Sequence, residues 1–164
     1  MSENRFLRLI EVFVRHEVRF IVVGGVAAVL QRVPVNTEDF DIVHERSKEN
    51  VARLLAALAE LGAVYRDDPR QLSPGESHLG GPGNQLLQSG RLKFDLLGRI
   101  DPGGAYSDLL PGTEILHVGP HAVRVLTLEK LVDLKRKLSR PKDKFMLIHL
   151  EAALEERRKR GEGK

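Results

Sequence analysis

The spacing of hydrophobic residues along the chain predicts helices that alternate with short strands. In the first segment apolar residues recur every three or four positions, which is typical of a helix with one buried face. Short β-branched and aromatic runs follow, and these favour strands. The elements predicted for the N-terminal part are a helix over 3–17, a strand over 18–23, a short helix over 26–31, a strand over 40–43, and a helix that begins after the N-cap Ser47 and ends at Gly62.

A long irregular segment separates this part from the C-terminal elements. Residues 66–84 are rich in Gly, Pro, Asp and Ser, so we predict a surface loop there, and Leu79-Gly80-Gly81-Pro82-Gly83 has the composition of a mobile one. Arg140-Pro141 predicts a helix boundary, because proline lacks an N–H and disfavours helical backbone in the residue before it. The other elements predicted here are a strand over 92–97, a hairpin over 115–125, a helix over 128–138 capped by Thr127, and a helix over 142–158.

Together these elements predict an α+β fold, in which a small mixed β-sheet is flanked by helices. A length of 164 residues suits one domain, so we expect residues 1–164 to form a single domain. The helices within 127–158 are expected to pack on this domain. The basic tail over 157–164 is expected to be frayed.

The composition excludes several classes of protein. The chain has no cysteine, which excludes a disulfide scaffold, a thiolate zinc site and a cysteine nucleophile. Aromatic residues make up only 5% and tryptophan is absent, which argues against a base-stacking surface. The 26 Lys and Arg residues exceed the 23 Asp and Glu residues slightly, which allows a polyanionic partner without requiring one. No segment predicts a signal peptide or a bilayer span, so we expect a cytoplasmic protein without membrane contact.

Three acidic residues in predicted strands are the main candidates for chemistry. Asp39 and Asp41 are two positions apart, so their side chains point to the same side of a strand. Neighbouring carboxylates raise each other's pKa unless a cation lies between them. Asp95 lies in the apolar strand over 92–97, where an acid is costly to bury without a partner. If these strands are neighbours, the three carboxylates form a ligand set suited to two Mg²⁺ or Mn²⁺ ions, as in phosphoryl or nucleotidyl transfer.

Two glycines add a candidate phosphate-binding turn. Gly24-Gly25 ends a predicted strand and opens a helix, so backbone N–H groups are exposed at the positive end of that helix. A phosphate can approach closely because no Cβ atom intrudes.

The combined pattern resembles the nucleotidyltransferase superfamily, which has the fold of DNA polymerase β and of the minimal nucleotidyltransferases. The pattern of that superfamily is a hydrophobic strand, Gly-Gly or Gly-Ser, a short helix, Asp-x-Asp, and a third Asp on a later strand. Here thirteen residues separate Gly25 from Asp39, which is the usual gap. Thr37 lies two residues before Asp39, which makes the sequence more similar to the minimal bacterial branch that includes abortive-infection type toxins.

The resemblance implies roles for individual residues. In that bacterial branch a Lys-containing helix precedes an Arg/Lys-Asp pair at the start of the next helix, and Lys135 and Asp143 match these positions. Asp143 also has a purely structural reading, as a first-turn acid that the helix dipole favours. The implied catalytic residues and metal ligands are Asp39, Asp41 and Asp95, and the implied nucleotide-binding residues are Gly24, Gly25, Thr37, Lys135 and Asp143.

The function implied by the resemblance is metal-dependent nucleotidyl transfer. With Mg²⁺ or Mn²⁺, the protein would move a nucleoside monophosphate from a nucleoside triphosphate such as ATP to an acceptor hydroxyl. RNA, a protein or a small molecule such as an aminoglycoside remain open as the acceptor. The resemblance also implies a toxin–antitoxin context with a cognate partner.

Two departures from the pattern of the bacterial branch support a second interpretation. Val35 occupies a position where relatives carry Arg, and Leu30-Gln31 stand where relatives carry His. A catalytically inactive nucleotidyltransferase fold that binds or regulates a partner is therefore the alternative. A basic RNA-binding protein without chemistry is a third interpretation, and it predicts salt-dependent affinity that survives loss of the acids.

Overall fold

One seven-stranded mixed sheet organises the structure, a computed structural model that describes residues 2–161. The sheet order is β3-β4-β5-β2-β1-β7-β6. The pairs β1–β7 and β2–β5 are parallel, and all other neighbouring pairs are antiparallel. The strands are β1 (Phe20–Val23), β2 (Phe40–His44), β3 (Val64–Tyr65), β4 (Asn84–Ser89), β5 (Leu92–Leu97), β6 (Thr113–Val118) and β7 (His121–Leu126).

Helices precede, connect and follow these strands, which confirms the predicted α+β fold with a mixed sheet and flanking helices. Among the helices of the described residues, none combines the length and the hydrophobicity needed to cross a membrane. The helices are α1 (Ser2–Arg15), α2 (Gly24–Leu30), α3 (Lys48–Leu61), α4 (Glu76–Gly80), α5 (Tyr106–Leu109), a 3₁₀ turn (Leu110–Gly112), α6 (Leu128–Arg136) and α7 (Pro141–Lys159).

Buried phenylalanines fix α1 against one face of the central strands. Phe6 stacks on Phe40 with 5.4 Å between ring centroids, and Phe13 meets Phe94 edge to face at 6.2 Å. All four rings are almost completely buried. Phe40 and Phe94 are paired across β2 and β5, so the residues that follow each of them point to the opposite face of the sheet.

Local capping signals set the ends of two helices as the sequence predicts. The Ser47 side chain accepts a hydrogen bond from the Asn50 N–H, and Gly62 adopts the left-handed conformation with φ 62°. Thr127 caps α6 in the same way by accepting from the Lys130 N–H. The predicted strand over 92–97 and the predicted hairpin are also confirmed, although the hairpin strands are longer than expected.

The prediction of a surface loop over 66–84 is wrong for the second half of that segment. It contains the short helix α4, and β4 begins at its end. Leu79 is fully buried, and its carbonyl accepts a hydrogen bond of 2.8 Å from Nε2 of the buried His44. Gly81 lies against Gly98, the residue that directly follows β5, and a Cβ atom at Gly98 would lie 2.5 Å from the Gly81 carbonyl oxygen. The segment is therefore part of the packed structure.

The C-terminal helix α7 includes the first three residues of the tail over 157–164. Residues 157–159 belong to α7, and Arg157 donates hydrogen bonds to the backbone carbonyl and the side-chain oxygen of Gln31. Gln31 in turn donates to the Leu126 carbonyl at 2.9 Å, so α7, α2 and β7 are joined at one point. Residues 162–164 of the predicted tail lie outside the described residues.

Replacing Leu79 tests whether the glycine-rich segment contributes to stability. We expect Leu79→Ala to lower the free energy of unfolding by about 2–5 kcal/mol, because a fully buried side chain is lost. The control is Leu72→Ala in the same segment, where the side chain is 46% exposed and the change should stay within about 0.5 kcal/mol. Urea unfolding measures both, and equal small effects would restore the surface-loop prediction.

Candidate functional site

The strand register aligns two of the predicted acids. Asp41 on β2 is paired directly with Asp95 on β5, and on its other side with Val23 at the end of β1. Asp39 lies directly before β2, and both Asp39 and Asp41 are partly exposed. Because β2 and β5 are parallel and in this register, the side chains of Asp41 and Asp95 lie on the same face of the sheet.

The two glycines are required by how closely acidic and hydroxyl side chains approach them. Gly24 has φ +66°, and a Cβ atom there would lie 2.8 Å from Oδ2 of Asp41. A Cβ atom at Gly25 would lie 2.5 Å from Oγ1 of Thr37, whose hydroxyl donates to the Asp39 carbonyl at 3.1 Å. The start of α2 therefore packs directly against the segment that carries the acids, and a larger residue at either position would require the side chain of Asp41 or Thr37 to move.

Asp41 is the most strongly perturbed acid of the site. Burial, the charge of Asp95 and the charge of Asp39 together raise the pKa of Asp41 to about 7, and Arg66 only partly opposes them. One carboxylate oxygen of Asp41, Oδ1, is buried and has no hydrogen-bond partner. The repulsion between carboxylates that the sequence predicts is therefore present. Burial and the charge of Asp95 contribute more to the raised pKa of Asp41 than the charge of Asp39 does.

Arg66 is the cation of this acidic cluster. Its Nη2 lies 2.7 Å from Oδ1 of Asp95, and the two side chains are only 15% and 17% exposed. The same nitrogen also donates to the carbonyls of Leu87 and Phe94, at 3.2 and 3.4 Å. Asp95 therefore has the partner that its position in an apolar strand requires.

A second charged cluster joins α6 to α7. Asp143 is completely buried and accepts a hydrogen bond of 2.9 Å from Lys135 and one of 2.8 Å from Nε of Arg140. These two hydrogen bonds hold the pKa of the Asp143 carboxyl below its usual range. Asp143 is thus saturated by cations of its own chain and orients Lys135 and Arg140.

A cavity of about 270 Å³ lies between the two clusters. Most of its lining is aliphatic, from the sheet, α2, α6 and α7. Four of the predicted site residues line it, namely Gly24, Gly25, Asp41 and Lys135, together with Arg140. The other four, Thr37, Asp39, Asp95 and Asp143, do not line the cavity. Three of these four each contact a residue that does line the cavity. Thr37 lies close to Gly25, Asp95 is paired with Asp41 across the strands, and Asp143 forms an ion pair with Lys135.

The acids fit a divalent cation in part. The partnerless buried oxygen of Asp41 and the repulsion from Asp39 and Asp95 are relieved by a positive ion, and carboxylate oxygens are the ligands that Mg²⁺ prefers. However, within residues 2–161 no three acidic or histidine side chains converge as a ready metal-binding group. Asp39 and Asp41 are therefore the residues that fit a metal, while one oxygen of Asp95 is bound by Arg66.

Sequence reasoning missed two charged residues of the site. Arg66 lies in the segment predicted as a surface loop, and no local pattern links it to Asp95, which is 29 residues away. At Arg140 the sequence predicts only the helix boundary before Pro141. Its position three residues before Asp143, the spacing of side chains that meet at the start of a helix, is a signal that could have indicated the ion pair.

Two solved structures share this architecture. The first is TM1012, a protein of Thermotoga maritima described as a proposed nucleotidyltransferase. Its sequence is 21% identical to this chain, the alignment covers 89% of this chain and 90% of TM1012, and the TM-score is 0.58. The second is the antibiotic-resistance factor ANT(2'')-Ia, which is 13% identical over 93% of this chain and 84% of that one, also with a TM-score of 0.58. No protein-family model and no curated protein matches the sequence. The likeness to the two solved structures shows that the chain has the nucleotidyltransferase fold.

The raised pKa of Asp41 predicts a pH-dependent stability in metal-free buffer. The folded state holds the Asp41 proton up to about pH 7, whereas the ordinary pKa is 3.8, so stability falls as the pH rises between these values. The slope is at most about 1.4 kcal/mol per pH unit. We expect Asp41→Asn to equal wild type near pH 4 and to exceed it in stability at pH 8, measured by urea unfolding in EDTA.

The control for this comparison is Glu155→Gln, which removes an exposed carboxylate from α7. Its difference from wild type should not change with pH across the same range. An Asp41→Asn variant that is less stable than wild type at pH 8 would mean that the ionised carboxylate has a stabilising partner.

Proposed function

We propose that this chain is a metal-dependent nucleotidyltransferase that works as a single domain over residues 1–164. It would transfer a nucleoside monophosphate from a nucleoside triphosphate, such as ATP, to an acceptor hydroxyl. The acceptor oxygen forms a bond to the α-phosphorus, the bond from that phosphorus to the bridging oxygen breaks, and pyrophosphate leaves. The fold shared with the two neighbours supports this activity, and the charges of the cavity give it a chemical basis.

The observation that carries the proposal is the opposite charge of two walls of one cavity. One wall carries Asp41, backed by Asp95 and Asp39, and the other carries Lys135 and Arg140. A metal–triphosphate complex has the matching polarity, with a cation at one end and anionic oxygens at the other. The aliphatic lining between the walls suits an uncharged group such as a nucleobase.

Each predicted residue has a role in this scheme. Asp39 and Asp41 would hold Mg²⁺ or Mn²⁺, which when bound supplies positive charge to the triphosphate. Gly24 and Gly25 would let phosphate oxygens approach the backbone, with Thr37 supporting their conformation. Lys135 and Arg140 would neutralise the triphosphate, held by Asp143. Asp95, next to Asp41 in the sheet, would border the acceptor hydroxyl and help to remove its proton.

The acceptor is proposed only as a class. The neighbour ANT(2'')-Ia is an antibiotic-resistance factor, which supports a small-molecule acceptor such as an aminoglycoside. The resemblance to abortive-infection type toxins supports RNA or a protein instead, in the cytoplasm and with a cognate toxin or antitoxin partner. The aliphatic cavity discriminates between none of these, because it would be filled by the nucleotide rather than by the acceptor.

A catalytically inactive binding module is the second candidate function. Gln31, one of the two residues Leu30-Gln31 that stand where relatives carry His, is 2% exposed and is bonded to Leu126, Glu114 and Arg157. These hydrogen bonds give Gln31 a structural role. Val35, at the position of the Arg of relatives, is a partly buried residue packed against the core. These two substitutions favour loss of turnover with retention of the fold.

Nucleotide titration tests the proposed function. We expect calorimetry to detect binding of at least one of the four common nucleoside triphosphates in Mg²⁺ and none in EDTA, because a metal held by Asp39 and Asp41 would supply the positive charge that offsets the repulsion between the acids and the phosphates. The double variant Asp39→Asn/Asp41→Asn should lose this binding while remaining folded, since fewer like charges are buried. The matched control, Asp108→Asn/Asp133→Asn, changes two exposed acids that do not line the cavity. Wild type that binds none of the four would favour the inactive binding module.

A lysine comparison tests the positive wall. We expect Lys135→Ala to weaken ATP binding about 10-fold or more and AMP binding less than about 3-fold, because a charge-assisted contact to the outer phosphates is lost. The control is Lys137→Ala on the same turn of chain, where the side chain is 56% exposed and bonded to Asp133. A melting curve checks that Asp143 tolerates the loss of Lys135, and equal losses for ATP and AMP would remove Lys135 from the phosphate site.

A further inference from the structure

Arg66 is held rigidly in the acidic cluster. Its backbone N–H donates to the Leu86 carbonyl at 3.0 Å, and the preceding residue, Tyr65, pairs with Leu87 in the β3–β4 ladder. The Tyr65 hydroxyl donates to the buried side chain of Gln85 on β4. The backbone on which Arg66 is mounted is therefore fastened to β4, the strand next to the one that carries Asp95.

The guanidinium of Arg66 is also fixed at its far end. One nitrogen, Nη2, is shared between Oδ1 of Asp95 and the carbonyls of Leu87 and Phe94. The side chain is 15% exposed, and its Nε is buried without a hydrogen-bond partner. A buried guanidinium that left Asp95 would abandon three acceptors, so we expect the ion pair to persist when a ligand enters.

This ion pair conflicts with a two-metal site. Two divalent ions about 3.5–4 Å apart need a third carboxylate that is free to ligate the second ion. Here one oxygen of Asp95 is already bound by a fixed positive charge, and a second dication at Asp95 would be repelled by that charge at close range. Asp39 and Asp41 have no such cation among their hydrogen-bond partners in the described part of the chain.

We infer that Arg66 takes the place of the second metal ion, so that the site binds one divalent cation per nucleotide, on Asp39 and Asp41. This inference rests on the proposed function and specifies its metal requirement. Arg66 supplies at Asp95 the positive charge that a second ion would otherwise supply beside the acceptor.

Counting bound Mn²⁺ tests the inference without measuring turnover. The protein is equilibrated by dialysis with excess Mn²⁺ and a non-hydrolysable ATP analogue, and the protein-bound Mn²⁺ and analogue are both measured. We expect one Mn²⁺ per bound analogue for wild type. Two Mn²⁺ per analogue would overturn the inference and leave the proposed function standing. A chain that binds no analogue at all would contradict the proposed function, and with it this inference.

Variants of Arg66 identify the cause of the ratio. We expect Arg66→Gln to raise it from one to two, because Asp95 is released as a ligand, and Arg66→Lys to keep it at one, because the charge remains. The control Arg70→Gln lies in the same segment, bonded to Asp68, and should also keep a ratio of one. A ratio of one for folded Arg66→Gln would overturn the role of Arg66. If Arg66→Gln does not fold, the wild-type ratio alone decides, with one supporting the inference and two overturning it.

Discussion

The direct pairing of Asp41 with Asp95 across two parallel strands is the constraint on which the site depends. The register places both side chains on one face, and burial of the inner carboxylate prevents water from screening the repulsion. Two neighbouring residues make this pairing possible. Arg66 is brought from outside the pair to neutralise one acid, and Gly24 leaves the space that the other acid occupies. The side of the cavity that carries Asp41 is acidic because the packing of the sheet leaves this one carboxylate without a cation of its own among the described residues.

The opposite wall of the cavity inverts this arrangement. There a single buried acid, Asp143, is surrounded by two cations, Lys135 and Arg140, whereas around Asp41 and Asp95 several acids share one cation. The cluster around Asp143 has an excess of positive charge and the cluster around Asp41 and Asp95 has an excess of negative charge, so the cavity between them has a negative side and a positive side. A ligand that carries both a cation and an anionic group completes both clusters at once. This is a stronger selection than either cluster would impose alone.

The sequence predicts what is decided by neighbours along the chain. Helix ends at Ser47 and Gly62 depend on a few local bonds, and they are found where the pattern indicates them. Strand β4 was missed because its inward residue Gln85 is polar while the next leucine is exposed, which inverts the usual alternation. The burial of Leu79 is not predicted, because a single leucine in a glycine-rich segment shows no hydrophobic periodicity. The ion pair of Arg66 is a contact of the tertiary fold and leaves no local periodicity. The roles of the predicted site residues in nucleotide binding remain predictions.

The bond between Gln31 and Arg157 spans 126 positions, and β1 pairs with β7 across nearly as much of the chain. Contacts this distant in sequence carry a loop-closure cost that slows their formation, because a long loop must close before they contribute. During translation the acids of β2 and β5 are therefore synthesised well before α6 and α7 can cover them. For that interval a nascent chain would carry an open, negatively charged half-site. Its first compensating charge is Arg66, which is synthesised before Asp95 and is available as soon as β5 joins the sheet.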